Sequence, residues 1–277
     1  TGGTFINQGR VQTGGLSTFG TGPVTVYPGG QAFLNQAGAW NNPMTISGIG
    51  STEGPNGGVT GPGAIRLGST ANLAAQVTLA GNTRITSSSV AGPSISGRIT
   101  GAGALELTSF ATTNSVIVLS NPGTTPNDWN GPLTISSLSG SRAAIIRLGA
   151  NEQVPDNTTV TLTATTNTGS SRFTTFDLNG FNETFGPLNG GSSTTTLVSN
   201  GVGTSTLTLG SGGGNGDFGG TVADVVGSTM NLVKTGTGKQ ILRGPVQLFG
   251  TTTVNGGTLE IIGDYFGIGD ITIGNGS

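Results

Sequence analysis

Residues 249–260 read FGTTTVNGGTLE and residues 266–273 read FGIGDITI, and both stretches repeat the beginning of the chain. The first parallels residues 1–12, TGGTFINQGRVQ, and the second parallels residues 19–26, FGTGPVTV. The two offsets, 248 and 247 residues, agree within one residue. The chain therefore starts and stops inside a repeating pattern. This indicates a stretch of a longer array, and arrays usually build surfaces and fibres rather than active sites.

Between these two ends the apolar residues follow a period of two. Short apolar-polar-apolar triplets recur at 24–26, 44–46, 65–67, 77–79, 105–107, 133–135, 160–162, 207–209 and 259–261. This alternation is typical of β-strands with one face inward and one face outward. Gly and Pro recur too often for ten uninterrupted helical residues, so we expect no significant helix.

Turn residues separate the triplets. Eight Asn-Gly pairs begin at Asn56, Asn130, Asn179, Asn189, Asn200, Asn215, Asn255 and Asn275. Asn and Gly tolerate the left-handed backbone conformation that tight corners require. Very short strands separated by corners at close intervals predict an all-β chain wound into a parallel β-helix, with residues 1–277 forming one segment.

An internal echo suggests the length of one rung. The stretch around Ile65 resembles the stretches around Leu105 and Ile146, at spacings of 40 and 41 residues. A regular rung of about twenty residues fits two rungs into each interval. We therefore expect Ile65, Leu105 and Ile146 to point inward at equivalent positions of stacked rungs. Outward ladders of Thr, Ser and Asn would explain the low charge, because stacked like charges repel.

Composition excludes several functions. The 277 residues include 53 Gly, no Cys and no His, with only 8% charged residues and a net charge of −2. Absent Cys removes disulfides, zinc-thiolate sites and thiol catalysis, and absent His removes the commonest general base and metal ligand. Ten scattered Lys and Arg residues form no basic patch, so we expect no nucleic-acid partner. No apolar run is long enough for a transmembrane helix, so we expect no membrane insertion by this segment.

Residues 232–261 resemble the autotransporter-associated β-strand repeat, also called the passenger-associated transport repeat. The resemblance rests on LVKTGTG at 232–238, QILRG at 240–244 and TTTVNGGTL at 251–259. The chain departs from the family pattern at Arg243-Gly244-Pro245 and at Phe249-Gly250-Thr251. Weaker matches lie at 4–9, 20–26 and 176–182.

The resemblance implies a right-handed β-helix in a large secreted or surface-displayed bacterial protein. It implies no catalytic residues. The chain begins at Thr1 rather than Met, which we interpret as a processed or excerpted chain.

Two glycine-rich patterns could carry chemistry. Residues 214–219, GNGDFG, satisfy the G-x-G-x-x-G pattern of dinucleotide sites, but the following residues form a poor helix, so we interpret them as a corner. The same stretch around Asp217 faintly resembles a calcium-binding nonapeptide repeat. One imperfect copy does not supply the stacked carboxylates that such sites share, so we expect no bound calcium.

Polysaccharide-degrading β-helices need carboxylates grouped on one face. The acidic pairs that lie close in sequence are Asp177 with Glu183, Asp217 with Asp224, and Asp264 with Asp270. None has a spacing that stacks its members on adjacent rungs, so isolated solvated side chains are the preferred interpretation. We therefore expect no catalytic, cofactor-binding or metal-binding residue, and no enzyme.

The chain has only two Trp and two Tyr residues, Trp40, Trp129, Tyr27 and Tyr265. Sugar-binding clefts favour such rings as stacking platforms. Asn42 and Pro43, and Asn127 and Asp128, place both Trp residues near loops. A glycan contact and packing at the base of a loop both fit, and packing is the commoner case.

The sequence therefore predicts a structural extracellular protein, a β-helical segment of a bacterial surface fibre, stalk or surface layer. An adhesin or glycan-binding passenger domain and a polysaccharide lyase or hydrolase are the alternatives. Neither end resembles a polar cap, so we expect each end to stack on another rung. That rung belongs to a second copy or to a longer chain.

Overall fold

The computed structural model describes residues 2–51, 61–109, 114–138, 143–164, 173–194 and 196–274. Within these residues the strands pair in parallel, and the one helical element is a 3₁₀ turn at Ser211–Gly213. The predicted all-β fold is confirmed, because the strands stack into a parallel β-solenoid with essentially no helix. The right-handed sense of the coil stays a prediction.

Each rung passes through up to three faces, and strands of successive rungs stack on each face. Face 1 holds β1 (Thr4–Ile6), β3 (Val24–Val26), β6 (Met44–Gly48), the first part of β9 (Val77–Ser87), β11 (Ile99–Gly101), β18 (Glu183–Phe185), β21 (Thr204–Leu209), β24 (Thr229–Lys234), β27 (Thr252–Val254) and β29 (Ile271–Ile273). Face 2 holds β2 (Gly9–Gln12), β4 (Gly30–Leu34), β7 (Ile65–Leu67), the second part of β9, β12 (Leu105–Ser109), β14 (Leu133–Ser137), β16 (Val160–Leu162), β19 (Leu188–Gly190), β22 (Gly216–Phe218), β25 (Lys239–Leu242) and β28 (Thr258–Ile261). Face 3 holds β5 (Gly38–Trp40), β8 (Ala71–Leu73), β10 (Ser94–Ile95), β13 (Ser115–Leu119), β15 (Ala144–Leu148), β17 (Thr174–Asp177), β20 (Thr196–Asn200), β23 (Thr221–Asp224) and β26 (Val246–Gln247).

The three faces form three hydrogen-bonded sheets among the described residues. Because β9 turns from face 1 onto face 2, the early strands of face 1 join face 2 in a 15-stranded sheet. Face 3 is a nine-stranded sheet, and the later strands of face 1 form a five-stranded sheet.

The core is a set of inward columns in which like residues stack. On face 2, Ile65 pairs with Ile85, and the column continues through Leu107, Ile135 and Leu162, all of them buried. Burying one such side chain stabilises the fold by about 1.5–3 kcal/mol relative to leaving it exposed. The period-two pattern thus becomes one apolar interior along the solenoid axis.

Rung length is less regular than the sequence suggests. The register advances by 20 residues from Thr4 to Val24, by 28 from Leu105 to Leu133 and by 19 from Lys239 to Thr258. The prediction of a regular rung of about twenty residues is therefore wrong in the middle of the chain. Extra residues lie in the corners between strands, where the hydrogen-bond ladder imposes no fixed length.

This irregularity corrects the internal echo. Ile65, Leu105 and Ile146 all point inward as predicted, since each is buried. Their equivalence is wrong, because the register places Ile65 in the column of Leu107, two residues away from Leu105. Ile146 lies in β15, on face 3 rather than face 2.

The terminal echo, in contrast, describes true structural equivalents. Strands β27 and β1 both lie on face 1, β28 and β2 both lie on face 2, and β29 and β3 both lie on face 1. The offset of 247–248 residues therefore relates strands of the same face at the two ends of the described chain.

The corners use Asn in a way that turn propensity alone does not predict. At Asn179-Gly180 both residues have positive φ, 51° and 83°, as expected for a left-handed corner. Elsewhere the Asn side chain bridges rungs, its Oδ1 atom accepting a backbone N–H of the next rung. These bonds join Asn151 to Asn182 N, Asn182 to Thr206 N, Asn189 to Asp217 N, Asn215 to Lys239 N and Asn231 to Thr251 N, at 2.8–2.9 Å. Corner amides thus extend the backbone ladder beyond the strands.

Candidate functional site

The charged side chains of the described residues are arranged as bridges between rungs. Five ion pairs join Arg84 to Glu106, Arg98 to Asp128, Arg147 to Asp177, Lys239 to Glu260, and Arg243 to Asp217. Two of these pairs, Arg84–Glu106 and Arg147–Asp177, are direct register partners on adjacent strands. Outward ladders therefore contain opposite charges as well as the expected hydroxyls and amides, because opposite charges at adjacent positions attract.

The first acidic pair corrects an expectation. Asp177 and Glu183 are both almost fully buried, so interpreting them as solvated side chains was wrong. They also lie on different faces, Asp177 on β17 and Glu183 on β18. Asp177 accepts a hydrogen bond from Arg147 Nε at 2.9 Å, and from the backbone N–H groups of Asn179 and Gly201 at 3.1 Å. Its carboxylate therefore holds a corner together.

Glu183 is the most deeply buried carboxyl group of the described residues. Its Oε2 atom accepts the N–H of Gln153 at 2.9 Å and its Oε1 atom accepts the N–H of Val154 at 3.1 Å. Burial raises the pKa of Glu183 well above its ordinary value, and the backbone N–H donors and the nearby Glu152 modify that shift in opposite directions. Burial also raises the pKa of Glu152, which accepts the N–H of Thr184 at 3.0 Å.

Buried amides continue this polar interior toward the earlier rungs. Asn121 and Gln153 exchange two hydrogen bonds, from Asn121 N to Gln153 Oε1 at 2.7 Å and from Gln153 Nε2 to Asn121 O at 3.0 Å. Asn127 donates from Nδ2 to Gln153 O at 2.8 Å and accepts the N–H of Ile99 at 2.8 Å. Each amide replaces a backbone partner where the strand of face 1 is interrupted, so the network is structural.

The glycine-rich stretch forms the predicted corner and strand. Residues 216–218 are β22, with Phe218 fully buried, and no helix follows in the described chain. The Asp217 carboxylate is held by Arg243, with Oδ1–Nε and Oδ2–Nη2 distances of 2.7 Å. These hydrogen bonds lower the pKa of Asp217 below its ordinary value. Its partner in sequence, Asp224, accepts the N–H of Phe249 at 2.7 Å, and burial raises the pKa of Asp224.

The last acidic pair, Asp264 and Asp270, is exposed. Their backbone carbonyls accept the N–H groups of Val246 and Thr252, both at 2.9 Å. These two carboxylates come closest to the expected isolated, solvated side chains.

Both Trp residues are buried, so their interpretation as exposed sugar platforms is wrong. Trp40 packs against Phe19, with ring centroids 5.9 Å apart. The backbone bonds from Asp128 N to Ile99 O and from Asn130 N to Gly101 O place Trp129 one rung after Gly101. Gly101 has no side chain, so it leaves interior room for the indole. Packing, the commoner alternative, is the one observed.

The two Tyr residues are more accessible. Tyr27 is about half exposed, and Tyr265 is partly buried with its hydroxyl 3.2 Å from Thr252 Oγ1. Neither ring faces one of the two grooves described next.

Two shallow grooves lie on the outside. One, of about 330 Å³, runs between segments 126–130 and 155–158 and carries Asp128, Asn130, Asp156 and Asn157. The other, of about 300 Å³, is lined by Asn189, Asn215, Gly216, Asp217, Lys239 and Ile241. In the second groove the two Asn side chains and Asp217 are already engaged with neighbouring rungs. Neither groove contains an exposed aromatic ring.

Lys234 is a buried ammonium group that the sequence analysis missed. Its Nζ atom donates to the carbonyl of Thr235, to Gly236 O at 3.3 Å and to Gly256 O at 3.2 Å, on two successive corners. Burial lowers the pKa of Lys234. The alternation Leu232-Val233-Lys234 is the signal that could have found it, because it places Lys234 inward.

Within the described ranges, no group of three or more acidic side chains is placed to hold a metal ion. In the same part of the chain, no helix has the length and hydropathy to cross a membrane. Comparisons with protein-family models, curated proteins and solved structures found no match to this chain.

Proposed function

We propose that this chain is a structural segment of an extracellular or cell-surface protein, a β-helical part of a bacterial fibre, stalk or surface layer. The observation that supports this best is the bonding between rungs. A continuous apolar interior runs along the axis, and charged and amide side chains outside it are joined to the next rung. Such a surface spends its polar groups on cohesion rather than on a ligand.

The bacterial and extracellular part of the proposal rests on the resemblance of residues 232–261 to the autotransporter-associated repeat. That segment comprises β25, β26 and β27 with parts of β24 and β28, so it covers rather more than one full rung. A motif that spans one rung suits an array built by repetition of that rung.

We further propose that the chain has no catalytic activity. Asp177, Asp217 and Glu183 each accept hydrogen bonds from neighbouring groups, and Asp177 and Glu183 are buried. A glycosidase needs two carboxyl groups that face one groove, one as acid and one as base or nucleophile. The groove with Asp128 and Asp156 is the place where a hydrolase alternative would have to act, and Asp128 is paired with Arg98.

The partner we propose is the chain itself or its continuation, stacked end to end. In β29, Ile271 and Ile273 belong to the inward column of face 1 and are exposed, because no described strand covers them. Another rung stacked there would bury both side chains and pair the open backbone edge.

Electron microscopy tests the structural role directly. We expect antibodies against this chain to label filaments or a regular layer outside bacterial cells of the source. Labelling confined to the cytoplasm would contradict the proposal, as would a dispersed secreted monomer with glycan-cleaving activity.

A further inference from the structure

An apolar surface runs along one corner of the solenoid, between face 3 and face 1. In the last rungs the outward side chains of this corner are Val202, Val225, Val226, Phe249, Phe266 and Ile268, which we call the apolar corner. Val226 is 90% exposed, Ile268 is 76% exposed and Phe266 is 58% exposed. Exposed apolar side chains that occur singly need no explanation, whereas a contiguous patch marks an interaction surface.

The residues of the apolar corner are contiguous because their rungs are hydrogen-bonded in sequence. Val225 N donates to Asn200 O, and Phe249 N donates to Asp224 Oδ2. Ile268 N donates to Leu248 O, which continues the register of the Val246–Tyr265 bridge and places Ile268 beside Phe249. The same register logic places Phe249 beside Val225. Adjacent rungs are about 4.8 Å apart, so the corner forms a ridge along the axis.

The same corner is polar in the earlier rungs. There it carries Asn41-Asn42-Pro43, Ala74-Ala75-Gln76 and Ser96-Gly97-Arg98. The apolar composition is therefore specific to the later rungs and is not required by the corner geometry.

Charge around the apolar corner has one sign. Asp224 directly precedes Val225, and the exposed Asp264 and Asp270 flank Phe266 and Ile268. The sequence has no Lys or Arg from residue 173 to 233 and none after Arg243. The buried Lys234 makes its contacts with backbone carbonyls at another corner. A partner that covers this ridge gains from apolar contact at its centre and from cationic groups at its rim.

We propose that the apolar corner is a docking surface for a cationic amphipathic polypeptide segment, whose apolar face covers Val226, Phe266 and Ile268. Its Lys or Arg side chains face Asp264 and Asp270. This proposal does not depend on the structural role proposed above, because the ridge lies on the side of the solenoid and the rung-to-rung contacts do not use it.

The probe is a fluorescein-labelled peptide of alternating Leu and Lys, measured by anisotropy with the purified full chain. The control peptides replace Lys by Glu, or Leu by Ser. The test variant is V226S/F266S/I268S, and the matched control F5S/L16S/V90S changes three exposed apolar residues away from the corner. Both variants replace exposed side chains, and circular dichroism and thermal melting confirm that they fold.

We expect the Leu/Lys peptide to bind at least tenfold more tightly than either control peptide. The corner variant should lose at least tenfold in affinity, and the matched control should not change. D264N/D270N should weaken binding and reduce its dependence on salt, because the rim charges are exposed. Equal binding of the Leu/Glu peptide, or equal binding by the corner variant, would overturn the proposal.

Two further measurements separate other occupants. Sedimentation equilibrium that shows the wild type dimerising through the corner would replace the proposed partner by a second copy. Flotation with uncharged phosphatidylcholine vesicles, lost in the corner variant, would replace it by a lipid surface. Neither result is expected from a ridge with acidic rims and a cationic partner.

Discussion

Glu183 holds the backbone of Gln153 from the neighbouring rung, with its Oε2 atom accepting the Gln153 N–H at 2.9 Å. The second carboxylate oxygen accepts the next N–H along the chain, that of Val154. A single buried side chain thus completes the ladder where face 1 has no regular strand. The stability of this part of the solenoid therefore depends on the protonation of one group.

We predict that Glu183 makes the fold less stable as pH rises. Its folded pKa lies above the unfolded value of 4.5. The folded state therefore binds the proton more tightly, so this stabilisation is full below pH 4.5 and is lost as pH rises through the folded pKa. Each unit between the two pKa values corresponds to about 1.4 kcal/mol. Urea unfolding from pH 4 to 8 should show this decline in the wild type relative to E183Q.

E183Q also loses one N–H acceptor, which costs about 1–3 kcal/mol at every pH. The informative quantity is therefore the pH dependence of the difference between the two proteins. D264N serves as the control, because Asp264 is exposed. Parallel curves for the wild type and E183Q would show that Glu183 does not titrate in this range.

Leu105→Asp should unfold the solenoid or destabilise it by more than about 4 kcal/mol, because it buries an unpaired charge. Thr78→Asp is the matched control, since Thr78 lies at an outward position of β9. We expect the control to change the unfolding free energy by less than about 1 kcal/mol. An unchanged melting temperature for L105D would refute the core assignment.

The two Arg–Asp pairs should differ in strength. Asp177 is buried and accepts two backbone N–H groups beside Arg147, whereas the side chains of Arg243 and Asp217 are each 49% exposed. Double-mutant cycles with Arg→Met and Asp→Asn should give a coupling of about 1–3 kcal/mol for the first pair and below about 1 kcal/mol for the second. Salt at 1 M should weaken mainly the second. Equal couplings would mean that burial does not set these energies.

The open edge of β29 should drive association. Sedimentation velocity on the purified wild type should show species that grow with concentration. I271K/I273K should reduce them, because Lys on an edge strand opposes pairing. V90K is the control, since Val90 is exposed away from this edge. A wild type that remains monomeric at high concentration contradicts end-to-end stacking of copies.

We predict no cleavage of polysaccharides by the purified chain. The paired or buried state of Asp177, Glu183 and Asp217 leaves them unsuited to acid–base catalysis. Reducing-end assays and unsaturated-product absorbance on a panel of glycans measure this. Cleavage that is lost in D128N or D156N would establish the hydrolase alternative at the groove they line.

The sequence predicts the fold well because three residues suffice to specify each strand. The triplets at 24–26, 44–46 and 77–79 place one residue outward and two inward, and the structure keeps this pattern. Rung length is not predictable in the same way, because corner residues do not enter the period of two. The echo of Ile65 at Ile146 therefore combined strands from two different faces.

The environment of the polar residues depends on partners about thirty residues away. Glu183 is buried because the backbone at 153–154 requires an acceptor, and no local motif encodes this requirement. The burial of Trp129 was more accessible to sequence reasoning, since Asn127, Asp128 and Trp129 alternate in, out, in. The polar neighbours of Trp129 favoured a loop, and the amide of Asn127 is in fact buried with its own partners.

The uneven rungs give the solenoid a mechanical signature. Tension along the axis pulls rung from rung, so the backbone hydrogen bonds of each rung are loaded in turn rather than all at once. A rung of 20 residues, as between Thr4 and Val24, releases roughly 70 Å of extended chain. A rung of 28 residues, as between Leu105 and Leu133, releases roughly 95 Å. A stretched molecule would therefore lengthen in short steps at its ends and in longer steps at its middle, absorbing work most effectively where its corners are longest.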